Sequence, residues 1–241
     1  MPETLGRLIE AVLVNAFFAS AAYRLHTVTR SGATVGWLLG AAIYAAAGPR
    51  GFALLVLFFV LGSAATHVGF RKKLAAGIAQ EEGGARSWRH AVANAGGPAL
   101  LAAASALTSY REIFLVGFAG AIATATGDTL SSEMGKTYGR RTFLLTTFRS
   151  VPAGTVGAVS LEGTLAGLAG AGVVVAAGTL LSVSPASAAV PILVAAFLGF
   201  MLEGYLGALF ETRGLLTNEQ VNFANTLMGA GAAMLLAAVL R

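Results

Sequence analysis

The stretch ATGDTLSSEMGKT, residues 125–137, holds the only aspartate of the chain, Asp128, and ends in Gly-Lys-Thr. That ending belongs to phosphate-binding P-loops. Such a loop needs a second glycine five positions before the Gly of Gly-Lys-Ser/Thr, and it sits between a strand and a helix. Leu130 stands at that position, and Gly127 is three residues too early. Without the first glycine the backbone N–H groups cannot wrap a phosphate, so anion chemistry must be built another way. Asp128 offers one. If its helix continues, Ser131, Ser132 and Gly135 share its face at i+3, i+4 and i+7. A carboxylate flanked by hydroxyls is a donor set for Mg2+, which takes oxygen ligands and keeps waters and substrate phosphates. A helix ending on Asp128 would instead set that charge against its dipole.

The segment TFRSVPAGTVGAVSLEGT, 147–164, supplies complementary chemistry. Gly154, Thr155, Gly157, Ser160 and Thr164 follow Arg149 and Pro152, and a glycine-rich backbone opening a helix offers N–H groups and a positive dipole end to an anion. Lys136 and Arg149 add charge for phosphates. Glu162 stands near the start of the next span. Glu203, in FLGFMLEGYLGALF, lies about two turns from the end of another, where an unpaired carboxylate is costly and a metal or a cation is the simplest partner. Asn218, Asn222 and Asn225 recur at i, i+4 and i+7, so one helix face carries three amides, either as a polar pocket or as interhelical hydrogen bonds. Asn94, beside Gly96 and Gly97, can join the same mouth. His26 and His67 have no partners at metal-ligand spacing, which argues against zinc.

Composition sets the stage for these groups. Of 241 residues 56% are apolar and only 11% are charged, against about 25% charged in a soluble domain. Too few charges exist to cover a water-facing surface, so the chain is expected to be an all-α, polytopic helical membrane protein forming one transmembrane domain over 1–241. Apolar runs place eight spans at 7–23, 32–48, 51–69, 91–108, 112–127, 156–181, 188–210 and 222–240, with seven if the first, broken by Glu10 and Asn15, is dropped. Alternate loops then carry twelve basic residues, from Arg24 to Arg213, against four on the other side. The positive-inside rule places the first set in the cytoplasm and both termini outside. The cytoplasmic loops fall near 70–90, 128–155 and 211–221. Glu81 and Glu82 read as solvated loop residues, and Glu3, Glu10 and Glu112 fall near the outer side. No loop is long enough for a soluble domain, so chemistry belongs at the cytoplasmic mouth of the bundle. The net charge of +5 reflects these loops and not nucleic acid. The absence of cysteine excludes disulfides, thiolate metal sites and thiol redox chemistry.

Read together, TRSGATVGWLLGAAIY, FFVLGS, HAVANAGG, ATGDTLSSEMGK, RSVPAGTVGAVSLEGTLAG, EGYLGALFE and VNFANT keep one order along nearly the full chain. In that order they resemble the integral membrane family that includes plant and cyanobacterial phytyl-phosphate kinase, and more distantly polyprenol kinases and CDP-lipid cytidylyltransferases. The resemblance implies phosphoryl transfer from a nucleoside triphosphate, often CTP, to an isoprenyl monophosphate in the bilayer. Residues matching its motifs are Asp128, Ser132, Glu133, Lys136, Arg149, Pro152, Gly154, Thr155, Gly157, Ser160 and Thr164. Asp128 with Glu133, Glu162 or Glu203 would hold Mg2+. Lys136 and Arg149 would clamp phosphates. Ser131, Ser132, Asn94, Asn222 and the Pro152–Gly157 backbone would line the nucleotide site. Many members have Asp-Ser where this chain has Glu203-Gly204, which keeps the carboxylate and loses the hydroxyl. A cytidylyltransferase and a transporter remain as alternatives, and a homo-oligomer stays open.

Overall fold

The computed structural model of the protein describes residues 2–80 and 82–240. Glu81, Arg241 and the side chain of Glu3 lie outside the described residues. In order come α1 (Pro2–Arg24), α2 (Arg30–His67), α3 (Phe70–Ala75), α4 (Trp88–Ala91), α5 (Gly97–Leu107), α6 (Arg111–Tyr138), β1 (Thr142–Leu144), β2 (Ala158–Ser160), α7 (Leu161–Leu180), α8 (Ala189–Leu206) and α9 (Asn218–Val239). Among the described residues six helices are long and apolar enough to cross a membrane. They are Leu5–Arg24, Arg30–His67, Arg111–Tyr138, Leu161–Leu180, Ala186–Glu211 and Asn218–Val239.

Helix α2 counts twice. A straight helix of its 38 residues would be about 57 Å long, nearly twice the ~30 Å hydrocarbon core. Instead Gly48 takes φ 74° and ψ −178°, Pro49 follows, and the chain turns back on itself. Both residue types suit the turn, glycine by reaching positive φ and proline by breaking the hydrogen-bond ladder. The Tyr44 and Phe52 rings lie 5.6 Å apart. Far from the turn, Gly32 and Gly62 both stand against Arg86, where a Cβ would come 2.1 Å from its carbonyl oxygen and 2.4 Å from its Nη2. The two halves are antiparallel spans, as the sequence placed them at 32–48 and 51–69. Residues 88–107 form the next span, made of α4, a π-turn over Val92–Gly96 and α5.

Helix α6 is the axis of the bundle and packs against α2, α5, α7, α8 and α9. Small residues allow the close approach. A Cβ on Gly163 would fall 2.5 Å from Ser131 O, and one on Gly167 would fall 2.7 Å from Gly127 O. Gly120 meets Ala233, and Gly229 meets Thr124, in the same way on the α9 side. Helix α1 packs against α2 at the edge of the bundle.

Two boundaries differ from the sequence reading. The fifth span does not end at Asp128, because α6 runs on to Tyr138 and leaves the aspartate inside the helix. The sixth begins at Leu161, not 156, because 158–160 pairs with β1 as an antiparallel ladder, Thr142 opposite Ser160 and Leu144 opposite Ala158. Among the described residues this short hairpin is the only sheet in an otherwise helical fold. Thr142 holds it in place by donating to the Val151 carbonyl, and Val151 N donates back to Thr142 O at 3.0 Å.

Because the chain lacks cysteine, single-cysteine labelling in membranes tests the turn at Gly48. Arg50→Cys, Ser109→Cys and Ser187→Cys should react with an impermeant maleimide from one side, and Thr147→Cys and Arg213→Cys from the other. Labelling of Arg50→Cys together with Thr147→Cys would rule out the eight-span arrangement.

Candidate active site

The hairpin roofs a cavity of about 260 Å³ at the end of the bundle that carries the basic loops. Its floor and walls come from four elements. Helix α6 gives Ser131, Ser132, Gly135 and Lys136, and the α7 N-terminus gives Gly163 and Thr164. The end of α8 and the turn after it give Phe200, Met201, Glu203, Gly204 and Glu211, and α9 gives Asn218. The roof is 154–160, from Gly154 to Ser160. Gly157, at φ 74°, lies so close to α8 that a Cβ would sit 2.4 Å from Gly204 O and 2.6 Å from Ala208 N. Only glycine allows both that conformation and that contact. Ser160 caps α7, its hydroxyl accepting from Gly163 N at 3.0 Å. The positive end of the α7 dipole therefore opens into the cavity.

Beneath the cavity lies a carboxylate pair. Asp128, buried in α6 one turn below Ser132, interacts side chain to side chain with Glu203 of α8. Asp128 Oδ1 is buried and has no hydrogen-bond partner among the described residues. Glu211 reaches the cavity because the chain after α8 widens into a π-turn over Gly207–Glu211. Such turns often mark functional positions, since the extra residue re-aims the side chains after it. Glu211 Oε2 accepts from Asn218 at 3.5 Å.

This donor set fits Mg2+. The ion binds through one or two carboxylates and completes its shell with water and substrate phosphates. Two carboxylates face one another, Asp128 with a buried, orphaned oxygen, and a cation or a shared proton relieves the repulsion between them. Among the described residues no group of three or more His, Asp or Glu is arranged as a cage, so an ion bound here must share its ligands with substrate.

The structure separates the other candidates. Glu133 is engaged by two lysines and not by the pair. One oxygen is ion-paired with Lys73, a fully buried lysine on α3, and the other lies 3.3 Å from Lys136 Nζ. Lys73 also donates to the Ala65 and Thr66 carbonyls where α2 ends. Glu133 thus neutralises a buried cation and leaves Lys136 on the cavity wall. Arg149 and Pro152, expected at the phosphates, do not line the cavity. Both are exposed, because the tight return from Leu144 to Arg149 carries them to the outside of the hairpin. Glu162 is half-buried on the first turn of α7 and is not on the wall either. Asn222 is tied to Asn218, 3.2 Å away, and Asn94 lines a different, apolar groove. The sequence reading did not single out Lys73, and it left Glu211 and Asn218 outside the site. Asn218 was legible as the first amide of the α9 face. Nothing in the spacing of the basic run Arg71-Lys72-Lys73 marks which cation is buried.

With this geometry in place, comparison with known proteins decides the family. Residues 13–230 match the family of integral membrane proteins designated DUF92. The chain belongs to this family. It is 37% identical over 235 residues to the uncharacterized membrane protein sll0875 of Synechocystis, covering 94% of this chain and 90% of that one. It is 36% identical over 217 residues to the chloroplastic protein VTE6 of Arabidopsis thaliana, covering 87% of this chain and 65% of the plant protein. A third relative, the uncharacterized membrane protein MJ0933 of Methanocaldococcus jannaschii, is 33% identical over 227 residues, 94% of this chain and 93% of that one. No solved structure matches the chain. The motifs that carried the resemblance, around Asp128, 149–164 and Glu203, all fall within the matched span.

The Lys73–Glu133 pair generates a stability prediction. Lys73→Met leaves the buried Glu133 with only the longer contact to Lys136 and should cost about 3 kcal/mol, read as a large drop in the melting temperature of the detergent-solubilised protein. Lys73→Met with Glu133→Leu should recover most of the loss, and a double variant as unstable as the single would refute this role.

Proposed function

We propose that the protein is a membrane isoprenyl-phosphate kinase. It transfers the terminal phosphoryl group of a nucleoside triphosphate, CTP by resemblance, to an isoprenyl or phytyl monophosphate and gives the diphosphate. The observation that carries this is the pairing of buried Asp128 with half-buried Glu203 at the base of a polar cavity lined by Lys136 and opened to the α7 N-terminus. The family's membership and its Asp128 and Pro-Gly motifs support the same reading.

In this reading an oxygen of the lipid monophosphate attacks the γ-phosphorus, and the bond to the β–γ bridging oxygen breaks. The nucleoside diphosphate leaves with that electron pair. The acceptor is already an anion, so a general base is unnecessary. The protein must bring two polyanions together and spread the charge. Asp128 and Glu203 would hold Mg2+, which would supply positive charge to lower the repulsion between the phosphates. Lys136 places a cation on the cavity wall, steadied by Glu133. The hydroxyls of Ser131, Ser132, Thr155 and Thr164 and the turn around Gly154 and Gly157 orient the nucleotide. Pro152 holds that turn from outside by accepting from the Thr155 hydroxyl at 2.7 Å. By the positive-inside rule, the twelve basic residues at this end of the bundle support a cytoplasmic site.

Purified protein with Mg2+, each nucleoside triphosphate in turn and phytyl, geranylgeranyl or farnesyl monophosphate should yield the lipid diphosphate by mass. Asp128→Asn and Glu203→Gln should each lose about 10²-fold or more in kcat while keeping the parent melting temperature. A CDP-lipid with release of pyrophosphate would replace the kinase by a cytidylyltransferase, and wild-type turnover in Asp128→Asn would remove the metal role.

A further inference from the structure

A second, larger cavity of about 450 Å³ opens between α1, the α2 hairpin and the span 88–107. Its walls are almost wholly apolar, Phe17, Phe18, Phe52, Val56, Phe59 and Val60 among them. Its polar lining gathers mainly in one segment at the basic end, where Arg86, Ser87, His90 and Asn94 close it. The groove reaches from there to Phe52, four residues beyond the turn at Gly48, and so spans much of the membrane depth.

Arg86 is built into that end. Its backbone is fixed on both sides, Arg86 N donating to Thr27 O at 3.0 Å and Thr29 N donating to Arg86 O at 3.1 Å. Its guanidinium lies over the Phe58 ring at 5.3 Å and against Gly62. Among the described residues this side chain has no hydrogen-bonded or ion-paired partner. A guanidinium with its donors unused among apolar walls is costly, and a phosphate supplies the missing acceptors two at a time. Glu133 is close enough for its charge to act on Arg86, and the same residue positions Lys136 in the polar cavity, so the groove ends beside the proposed site. Burial holds the Arg86 guanidinium down to about 10, with the charge of Glu133 opposing that shift, so it remains a cation at neutral pH.

We infer that the groove holds the hydrocarbon chain of a single-chain isoprenyl monophosphate, with its phosphate at Arg86. This rests on the kinase reading for the class of lipid. Charge complementarity sets the orientation, with the anionic head at Arg86 and the apolar chain along α1 and the hairpin. Gly36 lines the groove, and a Cβ there would meet nothing within 4 Å. A large side chain at 36 would therefore fill the space meant for the lipid without pressing on the protein.

The test measures binding, so it does not need turnover. A diazirine-bearing farnesyl phosphate is cross-linked to the full chain in lipid nanodiscs, the adducts are mapped, and affinity is read by competition with farnesyl and dimethylallyl phosphates. Adducts should fall within residues 17–36 and 52–63. Gly36→Phe should weaken farnesyl phosphate about tenfold or more and leave dimethylallyl phosphate unchanged. Arg86→Gln should weaken both by about tenfold or more. Adducts elsewhere, parent-like farnesyl phosphate affinity in Gly36→Phe, or equal displacement by dioleoyl phosphatidate would overturn the inference. Binding as described with no diphosphate formed from any nucleotide would leave the groove standing and sink the kinase reading.

Discussion

Placing a cation inside a membrane protein forces much of the rest. Lys73 is fully buried where α2 gives way to α3, and Glu133 of α6 answers it. Two charges withdrawn from water are tolerated only as a hydrogen-bonded pair, so α3 is held against α6, the central helix of the bundle. The second oxygen of Glu133 holds Lys136 at the cavity wall, and its charge reaches Arg86 at the mouth of the apolar groove. One carboxylate thus links a structural cation, the cavity and the groove. Lys72 tightens the same corner, donating to Thr137 O at 2.6 Å.

The polar cavity depends on how closely backbones can approach. Gly163 and Gly167 let α7 lie on α6, and that contact brings Ser160 and the α7 N-terminus over Ser131 and Gly135. Gly157 presses the hairpin onto the end of α8, where the π-turn swings Glu211 inward. Because Glu203 lies on α8 and Asp128 on α6, the carboxylate pair exists only while these two helices stay packed. The glycines along 120–167 therefore have a role that side chains of ordinary size could not fill: they set the distance between the helices that carry the cavity's polar groups.

The chain divides its two solvents between two cavities. In the proposed reaction nucleotide and ion come from water, and the polar cavity lies under the hairpin at the basic end. The proposed lipid substrate comes from the bilayer, and the apolar groove lies among membrane spans at the edge of the bundle, between α1 and the α2 hairpin. A reaction joining the two must work where both reach the same surface, and Glu133 sits between them.

Much of this was written in the sequence. The scarcity of charge required a membrane bundle, and apolar runs of spanning length placed eight crossings, including the pair that a single 38-residue helix conceals. Asp128, as the only aspartate in an apolar run, and Glu203, inside a span, each stood out because an ionisable group in lipid is costly. Other features depended on contacts between residues far apart in the chain. Spacing could not show that α6 carries Asp128 on its face instead of ending there, because the helix beyond it is held by Lys73 and the hairpin. Arg149 matched a motif position, but the turn of the hairpin faces it outward. Glu133 matched a metal-ligand pattern, but a lysine sixty residues earlier claims it. The sequence determined which groups are too costly to bury without a partner, and only the tertiary structure decided who the partners are. The cost of burying a charge is a property of one residue in one solvent, whereas pairing depends on which helices can approach closely enough to touch.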